Sequence, residues 1–100
     1  MITVDLIKQI YPGPIVAPIH GDDLSNGYCV GGAVCMMANI DNPFPGVERL
    51  ADALCNLNNR LPWSIARLHA DCIITSNDLG AFDTAWKTVE KMLTYGQVTL

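Results

Sequence analysis

Apolar residues recur at helical spacing in three consecutive stretches, and this pattern constrains the fold more than any other feature of the sequence. The stretches cover residues 45–58, 62–75 and 81–95. Within each, apolar side chains stand three or four positions apart, so one face of a helix is apolar and the other polar. Proline near the start of the first two, and asparagine or glycine at the ends of the first and third, are typical of helix boundaries. We therefore predict three amphipathic helices in this part of the chain.

The second of these helices has a less regular pattern than its neighbours. Ile65, Leu68 and Cys72, with Ala66 and Ile73 as a flank, form the stripe that we expect to face the core. The sequence SNDLG at residues 76–80 is rich in turn formers and predicts a break before the last helix.

The N-terminal half is more apolar and less periodic. Residues 29–40, CVGGAVCMMANI, are apolar on all sides, which predicts a buried central helix. Residues 3–10 predict a further short helix, begun by Thr3 or Asp5. Prolines and the Asn26–Gly27 dipeptide predict an irregular segment over residues 11–28, either extended or a loop. We expect an all-α fold: a compact bundle of four to five short helices forming a single domain over residues 1–100.

Composition excludes several classes of function. Half of the 100 residues are hydrophobic, only 16% are charged, and the net charge is -4. Nucleic-acid binding requires clustered basic residues, whereas the six here are dispersed along the chain, and no apolar run reaches the length of a membrane span. Neither nucleic acid nor a membrane is therefore an expected partner. The six basic residues are Lys8, Arg49, Arg60, Arg67, Lys87 and Lys91.

The cysteines and the N-terminus indicate a reducing compartment. The first residues lack the basic region and uninterrupted apolar run of a secretory signal, so we expect a cytoplasmic protein. Thiols stay reduced there, and the spacing of the four cysteines matches no zinc framework. Core packing is the expected role of Cys29, Cys35, Cys55 and Cys72.

One catalytic arrangement is compatible with the sequence. Cys29 precedes two glycines at the start of the central helix, where the helix dipole would favour a thiolate nucleophile. His20 or His69 would act as the base. The carboxylate that orients this base would come from Asp22, Asp23 or Asp71. No sequence motif fixes these groups together in space.

A metal site is a weaker alternative. His69 and Cys72 are three residues apart on one predicted helix, so both could bind one ion. Cys29, Cys35 or His20 would have to complete the ligand set. Because a single HxxC pair is common in helices that bind no metal, we predict no metal ion and no cofactor.

Two short motifs resemble an uncharacterised family of small helical proteins from actinobacterial and phage genomes. Those proteins have an aromatic-Cys-x-x-Gly-Ala segment, matched here by Tyr28, Cys29, Gly32 and Ala33. They also have a downstream Asn-Asp pair, matched by residues 77 and 78, although Ser76 stands where they carry Trp. The resemblance spans about residues 26–95 and implies a helical fold and a mobile-element context, without implying an activity.

The apolar excess favours a role in protein contacts. A chain this apolar can carry more hydrophobic surface than one small core covers, and large exposed patches mark interaction sites. We therefore expect an interaction or assembly module of phage or mobile-element type, acting through a homodimer or another protein partner. The alternative is a small thiol-dependent hydrolase-like enzyme that uses Cys29 with a histidine.

Overall fold

Five α-helices make up most of the part of the chain that the structure describes. This computed structural model describes residues 2–13, 28–40 and 46–97, and no strand occurs within these ranges. The all-α bundle predicted from the sequence is confirmed. The helices are α1 (Val4–Ile10), α2 (Val30–Met37), α3 (Val47–Leu57), α4 (Trp63–Asp78) and α5 (Phe82–Leu93).

Helix α2 is the centre of the bundle. Every residue from Val30 to Cys35 is buried, and the helix contacts each of the other four. This confirms the prediction that a helix apolar on all sides is an internal one. The helix ends at Met37, three residues before the end of the predicted range, and Asn39 follows with a positive φ of 60°.

Helices α3, α4 and α5 form the larger part of the bundle, with α4 between the other two. The side chain of Asn58, at the end of α3, donates hydrogen bonds to the carbonyl oxygens of Met92 (2.8 Å) and Tyr95 (2.9 Å). These carbonyls lie at the end of α5, where a helix lacks internal donors. Asn58 ends α3, as the sequence predicted, and its own backbone is extended, with φ -140°. Its contribution is a side-chain cap on another helix.

Two sequence predictions about α4 are wrong. The helix continues through residues 76–78 and ends at Asp78, so the break begins only at Leu79 and Gly80. Its buried stripe consists of Ala66, Ala70, Ile73 and Asn77. Leu68 and Cys72, which we expected to face the core, are exposed instead. The Ala66 and Ile73 flank faces the neighbouring helices instead, and the alanines at 66 and 70 let these helices approach closely.

The residues just after α1 contact the residue just before Cys29. The backbone N–H of Tyr28 donates to the carbonyl of Pro12 at 2.9 Å. The rings of Tyr11 and Tyr28 meet edge to face, with their centroids 5.3 Å apart. The predicted extended conformation of residues 11–28 lies almost wholly outside the described residues. In the described part of the chain, no helix has both the length and the apolar character to cross a membrane.

Candidate functional site

Cys29 occupies the N-cap position of α2. Its backbone is extended, with φ -69° and ψ 162°, and its Sγ accepts a hydrogen bond from the Gly32 N–H at 3.2 Å. The first N–H groups of a helix have no partner within the helix, so a capping acceptor stabilises its start. The side chain predicted as a nucleophile therefore has a structural function in the described contacts.

Asn77, near the end of α4, also caps the start of α2. Its Oδ1 accepts a hydrogen bond from the Val30 N–H at 2.9 Å. Asn77 is 2% exposed and is the one buried polar side chain in the described part of the chain. Sequence reasoning missed this contact because residues 76–80 read as a turn. The signal that could have found it is the position of Asn77 four residues after Ile73, on the Ala66–Ala70–Ile73 face.

The environment of Cys29 favours a neutral thiol. Burial raises the pKa of the Cys29 thiol above its usual range, and the negative charge of Asp78 acts in the same direction. The hydrogen bond from Gly32 opposes this rise without cancelling it. The pKa shift is therefore opposite to the lowering that we expected from the helix dipole, because the loss of solvent outweighs the dipole.

The described residues do not bring a base to Cys29. His69 lies eight residues before Asn77 on α4, which corresponds to about 12 Å along the helix axis. Its Nδ1 is 2.9 Å from the carbonyl oxygen of Ile65, so this nitrogen carries the proton and donates. Asp71 is six residues before Asn77 and exposed. His20, Asp22 and Asp23 lie outside the described residues. The described part of the triad is thus a capping thiol and a distant histidine.

The residues considered as metal ligands are also dispersed. Cys72 is exposed, whereas Cys35 is buried in the core. Among residues 2–13, 28–40 and 46–97, no three metal-binding side chains come together. A cleft between the start of α1 and the end of α5 has a volume of ≈ 240 Å³, which is below the usual range of about 300–1,000 Å³ for small-molecule sites. A depression along α5 has a volume of ≈ 520 Å³, but polar and charged side chains alone line it, whereas small-molecule sites are mostly apolar.

The most prominent surface feature is an apolar row on the outward side of α4. We call it the outer face of α4 and define it by the exposed residues Leu68, Cys72, Thr75 and the C-cap residue Leu79, of which Thr75 is polar. Leu68 is 65% exposed and Leu79 is 79% exposed, and Cys72 is also exposed. Their spacing of three and four residues keeps them on one side of the helix. This side is turned away from the buried stripe of α4 that faces the core.

The other exposed apolar side chains either form a smaller patch or are held by a hydrogen bond. Trp63 is half-exposed, and its Nε1–H donates to the Asp52 carboxylate at 2.8 Å, which fixes the indole against α3. Leu6 and Ile10 form a smaller exposed pair on α1, 36% and 50% exposed respectively. The outer face of α4 is therefore the candidate functional surface.

Comparison with known proteins gives no relative. No family model, no curated protein and no solved structure matches this chain.

Proposed function

We propose that this protein is an interaction and assembly module that forms a homodimer through the outer face of α4. The observation that carries the proposal is the high exposure of Leu68 and Leu79 on one helix face. A lone exposed leucine is ordinary in a monomer, but a row of apolar residues at helical spacing is typical of a helix that packs against a partner.

The apolar row supplies enough free energy for a weak association. Full burial of a leucine contributes about 1.5–3 kcal/mol. Scaled by their exposed fractions of 65% and 79%, Leu68 and Leu79 contribute about 2–4 kcal/mol per chain, or roughly 4–9 kcal/mol per dimer. Association costs at least about 4 kcal/mol in lost freedom of motion. Subtracting this cost leaves at most about 5 kcal/mol, so we expect a weak, reversible dimer with a Kd of about 0.2 mM or higher.

The geometry favours this function over the thiol-dependent alternative. A hydrolase would need Cys29 as thiolate with a histidine within hydrogen-bond reach. Burial instead raises the Cys29 pKa, its Sγ caps α2, and His69 is two turns of helix away. These observations support a structural role for Cys29.

The proposal includes a cytoplasmic location and the phage or mobile-element context. All four cysteines are free, which suits a reducing compartment. The two motifs of the resemblance meet in the fold, since Val30 follows Cys29 directly and donates to Asn77. Fractionation of cells that express the tagged chain tests the location: recovery with the periplasmic or secreted fraction would contradict it.

The double variant Leu68→Gln/Leu79→Gln tests the contact surface. It removes the apolar row without changing the net charge, and both side chains are exposed, so the stability of the monomer should change little. The matched control is Leu6→Gln/Ile10→Gln, which places the same polar residue at two exposed apolar positions of α1. Sedimentation equilibrium at millimolar concentration should show self-association for wild type and the control and a monomer mass for the α4 variant. Equal association of all three proteins would contradict the proposal.

A further inference from the structure

We propose that α1 is a detachable cover over Trp86, a side chain of α5 that the closed bundle buries. In this device α1 opens while the other helices stay folded, and opening brings the indole of Trp86 into contact with water. The inference goes beyond the proposed function and does not involve the outer face of α4. It gives the protein an apolar aromatic surface that only the open state presents.

Helix α1 is held to the bundle by few side chains. It has seven residues, and Ile7 is the one that is buried. Ile2, Val4 and Tyr11 pack against the core but are only partly buried. Among the described helices, α1 contacts α2 and α5 alone. A helix this short is not stable without its tertiary contacts, and segments with few buried apolar contacts open at a lower free energy than the core does.

The contacts between α1 and α5 place α1 over Trp86. Val4 of α1 and Glu90 of α5 both line the cleft between the start of α1 and the end of α5. Lys8 stands one helical turn after Val4, and its Nζ lies 5.9 Å from the centroid of the Trp86 ring. Trp86 stands one turn before Glu90. Helix α1 therefore runs antiparallel along this side of α5 and covers the indole.

The indole N–H of Trp86 favours the open state. Trp86 is 6% exposed, and its Nε1 is the one buried side-chain nitrogen or oxygen without a hydrogen-bond partner in the part of the chain that the structure describes. The ammonium group of Lys8 cannot accept this hydrogen bond, because it is a donor only. A buried donor without a partner is destabilised relative to a state in which water reaches it. Opening of α1 relieves this destabilisation.

Hydrogen exchange followed by NMR in the full chain tests the inference. The Tyr11 amide, which donates to the Ile7 carbonyl at 2.9 Å, reports on α1. The amides of Leu54 and Val89, which have no exposed surface, report on the core. The Nε1–H of Trp86 reports on its cover. We expect the equilibrium constants for opening at Tyr11 and at Trp86 Nε1–H to agree within about threefold, and both to exceed those of the core amides at least about tenfold.

Two matched variants separate opening of α1 from unfolding of the whole chain. Ile7→Val and Ile73→Val each remove one methyl group from a fully buried isoleucine, in α1 and in α4 respectively. Ile7→Val should raise the opening constants at Tyr11 and Trp86 by about 2- to 12-fold. Ile73→Val should raise those of the core amides by a similar factor and leave Tyr11 and Trp86 unchanged, because Ile73 stays buried when only α1 opens. Ile73→Ala replaces this variant if its urea midpoint equals that of wild type.

Three results would overturn the inference. If the change at Ile73 accelerates exchange at Tyr11 and Trp86 as much as in the core, α1 opens only when the whole chain unfolds. If Tyr11 opens independently but the Trp86 Nε1–H follows the core amides, α1 does not cover Trp86. If Ile7→Val leaves exchange at Tyr11 and Trp86 unchanged, Ile7 does not hold the cover closed. The proposed dimer is tested separately and stands or falls without these results.

Discussion

Replacing Asn77 with alanine tests whether the start of the central helix depends on a side chain of α4. The Val30 N–H that donates to Asn77 Oδ1 belongs to a residue with no exposed surface, so water cannot replace the lost acceptor. A buried donor left without a partner costs about 1–3 kcal/mol. The higher helix propensity of alanine returns at most about 0.7 kcal/mol. We expect Asn77→Ala to lower the free energy of unfolding by about 0.3–2.3 kcal/mol.

Thermal and urea unfolding followed by circular dichroism measure this loss. For a domain of this size the expected decrease in Tm is about 1–18 °C. The matched control is Asn56→Ala, the same change at an exposed position of α3, which should be neutral or slightly stabilising. Faster hydrogen exchange of the Val30 amide in Asn77→Ala would assign the loss to this contact. Equal stability of Asn77→Ala and Asn56→Ala would refute the reasoning.

Three further predictions concern other parts of the fold. Asn58→Ala removes both side-chain donors to the end of α5 and should cost about 1–2 kcal/mol in urea unfolding; an unchanged midpoint would show that the cap contributes nothing. Gly80 has φ +77° with open space around its Cα, so Gly80→Ala should cost about 1–2 kcal/mol from backbone strain alone, and Gly80→Asn less, because Asn tolerates this conformation; equal losses would contradict this. Burial raises the pKa of Cys35 from 9.0 to about 12, so the folded state favours the neutral thiol. The free energy of unfolding should therefore fall as the pH rises from 9 towards 12. It should fall less steeply in Cys35→Ala, which lacks this thiol.

The helices themselves were predictable because local signals agree with tertiary packing. Thr3 caps α1 through its Oγ1, which accepts from the Leu6 N–H at 3.2 Å, as its position in the sequence suggested. Gly96 has φ +78° just after α5, which suits its predicted role at the helix end. The apolar run of α2 required a buried position, and the structure gives it one.

The orientation of α4 was not predictable from the same signals. Its sequence has two stripes at helical spacing, one with Leu68 and Cys72 and one with Ala66 and Ala70. Hydropathy favours the stripe with leucine as the buried one. The structure buries the alanine stripe, because α4 lies between α3 and α5 and small side chains let helices approach closely. Which stripe faces the core depends on the shapes of the neighbouring helices, which periodicity does not contain.

The contact between α2 and α4 depends on positions far apart in the chain. Val30 and Asn77 are 47 residues apart, and neither residue alone indicates the other. The resemblance placed the Cys-containing segment and the Asn-Asp pair in one family pattern, although nothing in it showed that they touch. The prediction of a lowered Cys29 pKa was wrong for a similar reason. Burial by the surrounding helices raises this pKa, and burial is a property of the assembled core that the local sequence does not contain.

Sedimentation equilibrium of the reduced wild-type protein tests the central claim most directly. The chain has a mass of 10.9 kDa, and measurements from about 0.1 to 5 mM reach the strong end of the expected range of Kd. The proposed self-association predicts a weight-average mass that rises with concentration towards, and not beyond, twice the chain mass. A mass that stays at one chain throughout this range would contradict the account.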